Sequence, residues 1–170
     1  MKTLKFILIL LYLLFVAQSA FAQQEDVSSE LTAFKITMNE SGDEVATEVD
    51  EVRPGDLIEY RLTYTNNTGE SITNLVPTLP IPSGMYYMAE TASPEIERAS
   101  YLSMGNNFQV PPLTREATTS GGLRTTREVS PQEYSRLQWT IDTLEGGNSA
   151  TLIARVRVSQ QQANVKQNKF

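Results

Sequence analysis

The 170-residue chain contains no histidine and no cysteine. Without an imidazole there is no Ser-His-Asp or Cys-His nucleophile system, no histidine general base, and no histidine-ligated zinc, iron or copper. Without a thiol there is no disulfide or thiolate chemistry. Carboxylates, lysine and tyrosine remain. Two carboxylates hydrolyse a glycoside when they face each other across the scissile bond. Glu95 with Glu97, and Glu48 with Asp50, come nearest to such a pair. Their spacing on a strand or turn aims both acids outward together. Asp43-Glu44, Asp50-Glu51 and Asp56 lie near turns, where calcium collects several oxygen ligands from one loop. No EF-hand or nonapeptide spacing accompanies them. The chain is therefore read as not an enzyme, with no catalytic, cofactor-binding or metal-ligating residue assigned and no cofactor expected.

Other residue types invite weaker readings. Asn66-Asn67-Thr68 and Asn39-Glu40-Ser41 match glycosylation acceptors, but both fall where Asn and Ser belong in turns. Trp139 and Tyr60 are types that stack on sugars, yet each alternates with polar neighbours and so belongs to a buried strand face. Tyr86 and Tyr87 are adjacent, so a strand must turn one of them outward.

The elements that would hold these residues follow a period of two. Phe34, Ile36 and Met38 alternate with Lys35 and Thr37, Asn39 to Asp43 make a turn, and Val45, Thr47 and Val49 continue. Arg53-Pro54-Gly55-Asp56 is a turn. Ile58, Tyr60, Leu62 and Tyr64 then alternate with Glu59, Arg61, Thr63 and Thr65, giving one buried and one wet face. Ile72–Leu79 reads as one strand ended by Pro80 and Pro82, and Met85–Ala89 as a short aromatic one. Leu137, Trp139 and Ile141 form a strand, Glu145-Gly146-Gly147-Asn148 a turn, and Leu152 to Val158 another strand; these last two are expected to pair as a hairpin. About seven strands with no helical pattern predict an all-β protein, specifically an immunoglobulin-like antiparallel β-sandwich.

The N-terminus carries an address. Lys2 and Lys5 precede the apolar run Phe6–Ala17, and Ala20-Phe21-Ala22 offers a signal-peptidase site. The run is shorter than the roughly 20 residues that span a bilayer. The domains expected are a cleavable signal peptide 1–22, a flexible leader 23–31, the sandwich 32–159 and a disordered tail 160–170. Cleavage removes two lysines and takes the net charge from −6 to −8. That sign disfavours nucleic acid and anionic membrane as partners. A cysteine-free exported domain fits a bacterial periplasm or cell surface better than a disulfide-stapled secreted context.

Residues 111–128, PPLTREATTSGGLRTTRE, are rich in Pro, Gly, Ser and Thr and read as a long loop. Arg115, Arg124 and Arg127 against Glu116 and Glu128 give it a net positive charge within an acidic chain. Two readings stand for it: a tolerated, mobile insertion between strands, or the place where contact with another envelope or surface protein concentrates.

Several landmarks also resemble a known module. Val52-Arg53-Pro54-Gly55-Asp56, Ile58-Glu59-Tyr60 and Tyr64-Thr65-Asn66-Asn67-Thr68-Gly69 are followed by Leu79-Pro80 with Pro82-Ser83-Gly84-Met85. Leu137-Gln138-Trp139, Ile141, Leu144-Glu145-Gly146-Gly147 and Ala150-Thr151-Leu152 close the series. Order and spacing resemble the bacterial and archaeal conserved repeat domain called domain of unknown function 11, over roughly residues 32–159. The resemblance implies an immunoglobulin-like fold and an extracytoplasmic role, with no shared catalytic residues. This chain has one copy, whereas the family often occurs in tandem, and Ser103-Met104-Gly105-Asn106-Asn107-Phe108 lacks the family's Asp at that turn. The expected function is a non-catalytic module for protein–protein contact or envelope organisation. The alternative is a carbohydrate-binding or hydrolytic envelope protein using exposed carboxylates and tyrosines.

Overall fold

The structure is a computed structural model that describes residues 26–105 and 107–160. The expected signal peptide lies outside the described residues, as does all of the expected tail except Gln160. The described chain is all-β. It has twelve strands rather than about seven, because proline and glycine cut several long runs into short pieces. They are β1 (Val27–Met38), β2 (Glu44–Glu48), β3 (Leu57–Asn66), β4 (Ile72–Leu75), β5 (Thr78–Pro80) and β6 (Met85–Tyr87), then β7 (Arg98–Tyr101), β8 (Thr114–Thr118), β9 (Arg124–Glu128), β10 (Tyr134–Gln138), β11 (Ile141–Leu144) and β12 (Ser149–Val158).

An antiparallel five-stranded sheet runs in the order β2-β1-β3-β12-β6. Its centre is β3, whose Ile58, Tyr60, Leu62 and Tyr64 face the core as their alternation requires. A three-stranded sheet, β5-β10-β7, and a pair, β11-β4, complete the body. One core cluster draws Leu62, Tyr87, Leu152 and Ala154 from the first sheet and Leu79, Ala99, Tyr134 and Leu137 from the second. Trp139 lies in that cluster at 1 % exposure, its indole N–H donating to the Pro94 carbonyl at 2.9 Å.

The run expected as one strand from Ile72 to Leu79 is two. Pro77 has no N–H for a ladder, and Asn74 has a left-handed φ of 56°, so β4 pairs with β11 while β5 pairs with β10. Pro80 is tolerated at the end of β5 because β5 is an edge strand.

The expected closing hairpin does not form. The strand read through Trp139 is broken into β10 and β11, and β12 leaves them to pair with β3 and β6. The turn Glu145 to Asn148 carries the chain from one sheet to the other. Gly147 N–H donates to the Asn66 carbonyl at 3.0 Å and Asn66 N–H to the Asn148 carbonyl at 2.9 Å. Gly146 is pressed onto the turn at Gly69: a Cβ there would stand 2.6 Å from the Gly69 carbonyl carbon.

Residues 27–31, expected in the flexible leader, are strand. Val27 to Leu31 lie opposite Asn66 to Leu62, so a polar stretch is drawn into the sheet by a well-packed neighbour. The alternation of β1 left its buried face open, and the register assigns it. Phe34 lies opposite Glu59 and Ile36 opposite Leu57, which puts Phe34, Ile36 and Met38 on the face turned away from the core. Ala33, paired with Tyr60, is the residue that reaches the core side. A period of two fixes which residues share a face, but not which face is inside.

The long loop expected at 111–128 is instead a two-stranded hairpin, β8-β9, a sheet of its own. Threonine suits a strand as readily as a loop. Thr119 to Gly122 make the turn, with Gly122 N–H donating to the Thr119 carbonyl at 2.9 Å.

Candidate functional site

The β8-β9 hairpin is an arm on the body. Its root is fixed by Leu113 and Val129, both fully buried in or beside the main core, with Val129 N–H donating to the Leu113 carbonyl at 2.8 Å. Tyr134 Oη accepts from Leu113 N–H at 3.5 Å. Arg115, on the face turned to the body, bonds Glu133 at 2.7 Å and lies 5.9 Å over the Tyr101 ring. Beyond these anchors the arm is wet. All five residues of β9 are exposed, and Leu123 at the turn is 70 % exposed.

At the arm's root lies an open cleft of about 570 Å³, within the size range of ligand sites. Its apolar wall includes Ile96, Pro111, Pro112 and Pro131, and Glu90, Glu95 and Glu128 edge it. Tyr87 and Tyr134 form its floor, stacked with centroids 6.3 Å apart and planes 12° from parallel. Both rings are only 4 % exposed. Burial pushes both hydroxyls above the ordinary 10.0, so they stay protonated at neutral pH. Rings this deeply buried give a sugar little face to stack on.

The carboxylates named from the sequence do not converge. Glu95 borders the cleft, while Glu97 turns to β11's approach and accepts from Thr140 Oγ1 at 2.7 Å and Thr140 N–H at 3.2 Å. Glu48 and Asp50 are both exposed, on and after β2. The acidic turn residues are held by different partners. Asp43 accepts from Asn39 Nδ2 at 3.3 Å, Glu44 from Arg155 at 2.7 Å, and Asp56 from Lys35 Nζ at 2.8 Å and Arg53 N–H at 2.8 Å. The Lys35 ammonium, helped by the Arg53 amide, holds Asp56 below the ordinary carboxylate range. Arg155 does the same to Glu44, and Glu44 and then Glu59 hold the Arg155 guanidinium charged more firmly than usual. Among the described residues no group of three or more acids is placed to hold a metal ion.

Of the two glycosylation matches, Asn66 is fully buried and its amide donates to the Glu70 and Leu144 carbonyls at 2.7 and 2.9 Å. Asn39 is exposed, with its side-chain oxygen taking the Ser41 and Asp43 amides at 2.9 and 2.8 Å. Tyr87 turns inward and Tyr86, opposite Arg157, turns outward. Trp139 and Tyr60 pack in the core rather than in a groove.

The sequence did not indicate the cleft. Glu90 and Glu95 lie five residues apart, but Glu128 comes from the end of β9, and only the fold brings it to their rim. No family model, curated protein or solved structure matches this chain.

Proposed function

We propose that this chain is an exported, non-catalytic immunoglobulin-like β-sandwich module that makes protein–protein contacts in a bacterial periplasm or on the cell surface. The arm carries the reading: a hairpin rooted in the core by Leu113 and Val129, with its distal strands exposed. A body that needed the hairpin for stability would bury it. Here only the root and Arg115 are held by the body, and the polar, mixed-charge strands beyond are presented to whatever lies beside the molecule.

Three further points support the reading. Two antiparallel sheets of five and three strands share a core around a buried Trp, the arrangement expected of an immunoglobulin-like sandwich. The ordered landmarks resembling domain of unknown function 11 span that same body. Lys2, Lys5 and the apolar run to Ala17, closed by Ala20-Phe21-Ala22, have the form of an export signal.

Replacing Arg115 to Arg127 by a short Gly-Ser bridge tests the reading. Leu113 and Val129 stay in place, and closing a shorter loop changes chain entropy only slowly. The expected result is an unchanged melting temperature, retained export and loss of the envelope contact made by the intact chain. Retention of that contact by the armless protein, or recovery of the full-length chain from the cytoplasm, overturns the reading.

A further inference from the structure

We propose that the arm's open edge pairs with the same edge of a second copy of this chain, β9 against β9 in antiparallel register centred on Thr126. The inference rests on the reading of the arm as a contact element and names its occupant.

The phase of the arm's ladder decides which backbone groups are open. Val129 N–H donates to Leu113 and Thr119 N–H to Leu123, and those residues lie opposite each other in the hairpin's register. Hydrogen-bonded pairs alternate along an antiparallel ladder. Arg115 with Arg127 and Ala117 with Thr125 are therefore hydrogen-bonded pairs inside the arm. The amides and carbonyls of Arg124, Thr126 and Glu128 point the other way, along an edge that no third strand among the described residues covers. A two-stranded hairpin is marginally stable in water, and a third strand is what such an edge lacks.

The side chains then select the partner and the register. With Thr126 opposite Thr126 of the second copy, Arg124 of each chain faces Glu128 of the other, twice by symmetry. Opposite charges in directly facing positions attract, and like charges repel. Moving the register by two residues one way sets Arg127 against Arg127, and moving it the other way abandons both Arg124–Glu128 contacts. Pairing through the arm's other edge, centred in β8, would set Glu116 against Glu116. All five residues of β9 are exposed, so nothing must be displaced. The contact is isologous and closes at a dimer.

The test uses the full chain, which has no cysteine of its own. Thr126→Cys places two thiols at the two-fold axis, with Cα atoms about 5.5 Å apart, inside disulfide range. Under mild oxidant it is expected to form a covalent dimer at least about tenfold faster than the control Thr118→Cys on β8, where no like pairing is expected. By sedimentation, Arg124→Glu should weaken self-association by about tenfold or more, since 1.4 kcal/mol corresponds to tenfold. The double variant Arg124→Glu, Glu128→Arg swaps both partners and should restore it. Melting curves confirm that these exposed substitutions leave the fold intact. Equal oxidation rates at positions 126 and 118, or a folded double variant that stays monomeric, overturns the proposal. If arm deletion abolishes an envelope contact while the intact chain is monomeric at every concentration, the self-pairing fails and the contact role stands.

Discussion

Arg155 on β12 donates to Glu59 on β3 at 2.9 Å, and the two lie directly opposite each other on the sheet face turned away from the core. Glu59 is 5 % exposed, so its charge has little water and depends on the cations around it. Arg61 supplies a second one at 2.7 Å while lying 4.2 Å over the Phe34 ring. Arg155 also reaches Glu44 on the edge strand β2, which ties β12, β3 and β2 together across one face. Arg61 of this row covers the Phe34 ring that β1 turns outward, while Met38 stays 65 % exposed.

Removing Arg155 should therefore cost more than an ordinary surface charge. Arg155→Ala leaves Glu59 with Arg61 alone, and a loss of about 1–3 kcal/mol is expected. That is below the 3–5 kcal/mol of a fully buried pair, because about a quarter of the Arg155 side chain stays in water (24 %). Urea denaturation measures it, and a change below about 0.5 kcal/mol would show that the network is only surface decoration.

Acid should loosen the same region. Glu44 and Asp56 both have native pKa values held below their ordinary 4.5 and 3.8. Each therefore contributes stability that is fully present above the ordinary value and is lost as pH falls through the lowered native one. The predicted profile is flat from neutrality down to about pH 5 and declines below the ordinary carboxylate range near pH 4. Glu44→Gln with Asp56→Asn should flatten that acid limb. An unchanged limb in the double variant would place the acid sensitivity elsewhere.

Trp139 is predicted to hold the centre of the body. Trp139→Ala should cost about 3–5 kcal/mol from lost burial and the cavity left behind. It is the chain's one tryptophan, so the native protein should emit in the blue and resist iodide quenching. Emission typical of exposed indole would contradict the core as described.

Gly146 is predicted to be irreplaceable for a reason distinct from backbone freedom. Its φ is not in the left-handed region, but a Cβ would collide with the Gly69–Glu70 backbone at 2.6 to 2.9 Å. Gly146→Ala should cost about 1–3 kcal/mol, as overpacking does. Gly122→Ala, in open space at a φ of 80°, should cost only about 1 kcal/mol. Thermal melts of the two variants compare them directly.

Much of the fold could be read from residue alternation, and the failures have physical causes. Ile58 to Tyr64 reads as a central strand because both its wet and dry faces are marked. β1 shows the limit: Phe34 and Ile36 alternate as core residues do, yet their register puts them on the outer face, where Arg61 lies over the Phe34 ring. The closing hairpin failed because a tight turn such as Glu145 to Asn148 can return a strand to its neighbour or send it to the other sheet. Here the turn is held against β3 by the Asn66 backbone hydrogen bonds and the close contact of Gly146 with Gly69, and β12 goes to β3. The arm was hidden by composition, since Thr-rich segments suit loops and strands alike. Its charge and punctuation marked it out, but its ladder phase came from the fold. The cleft was illegible because its walls, around Glu90 to Ile96, Pro111-Pro112 and Glu128 to Tyr134, come together only in the fold.

The most direct test of the arm as the contact element is photo-crosslinking in intact cells from a reactive residue placed at Leu123, the 70 % exposed arm tip, compared with one at Leu31 on β1. Leu31 is a fair control because it is also well exposed, at 51 %. The account predicts a discrete adduct from position 123, lost on deleting Arg115 to Arg127, and none from position 31. A discrete adduct from position 31 with none from the arm would contradict it.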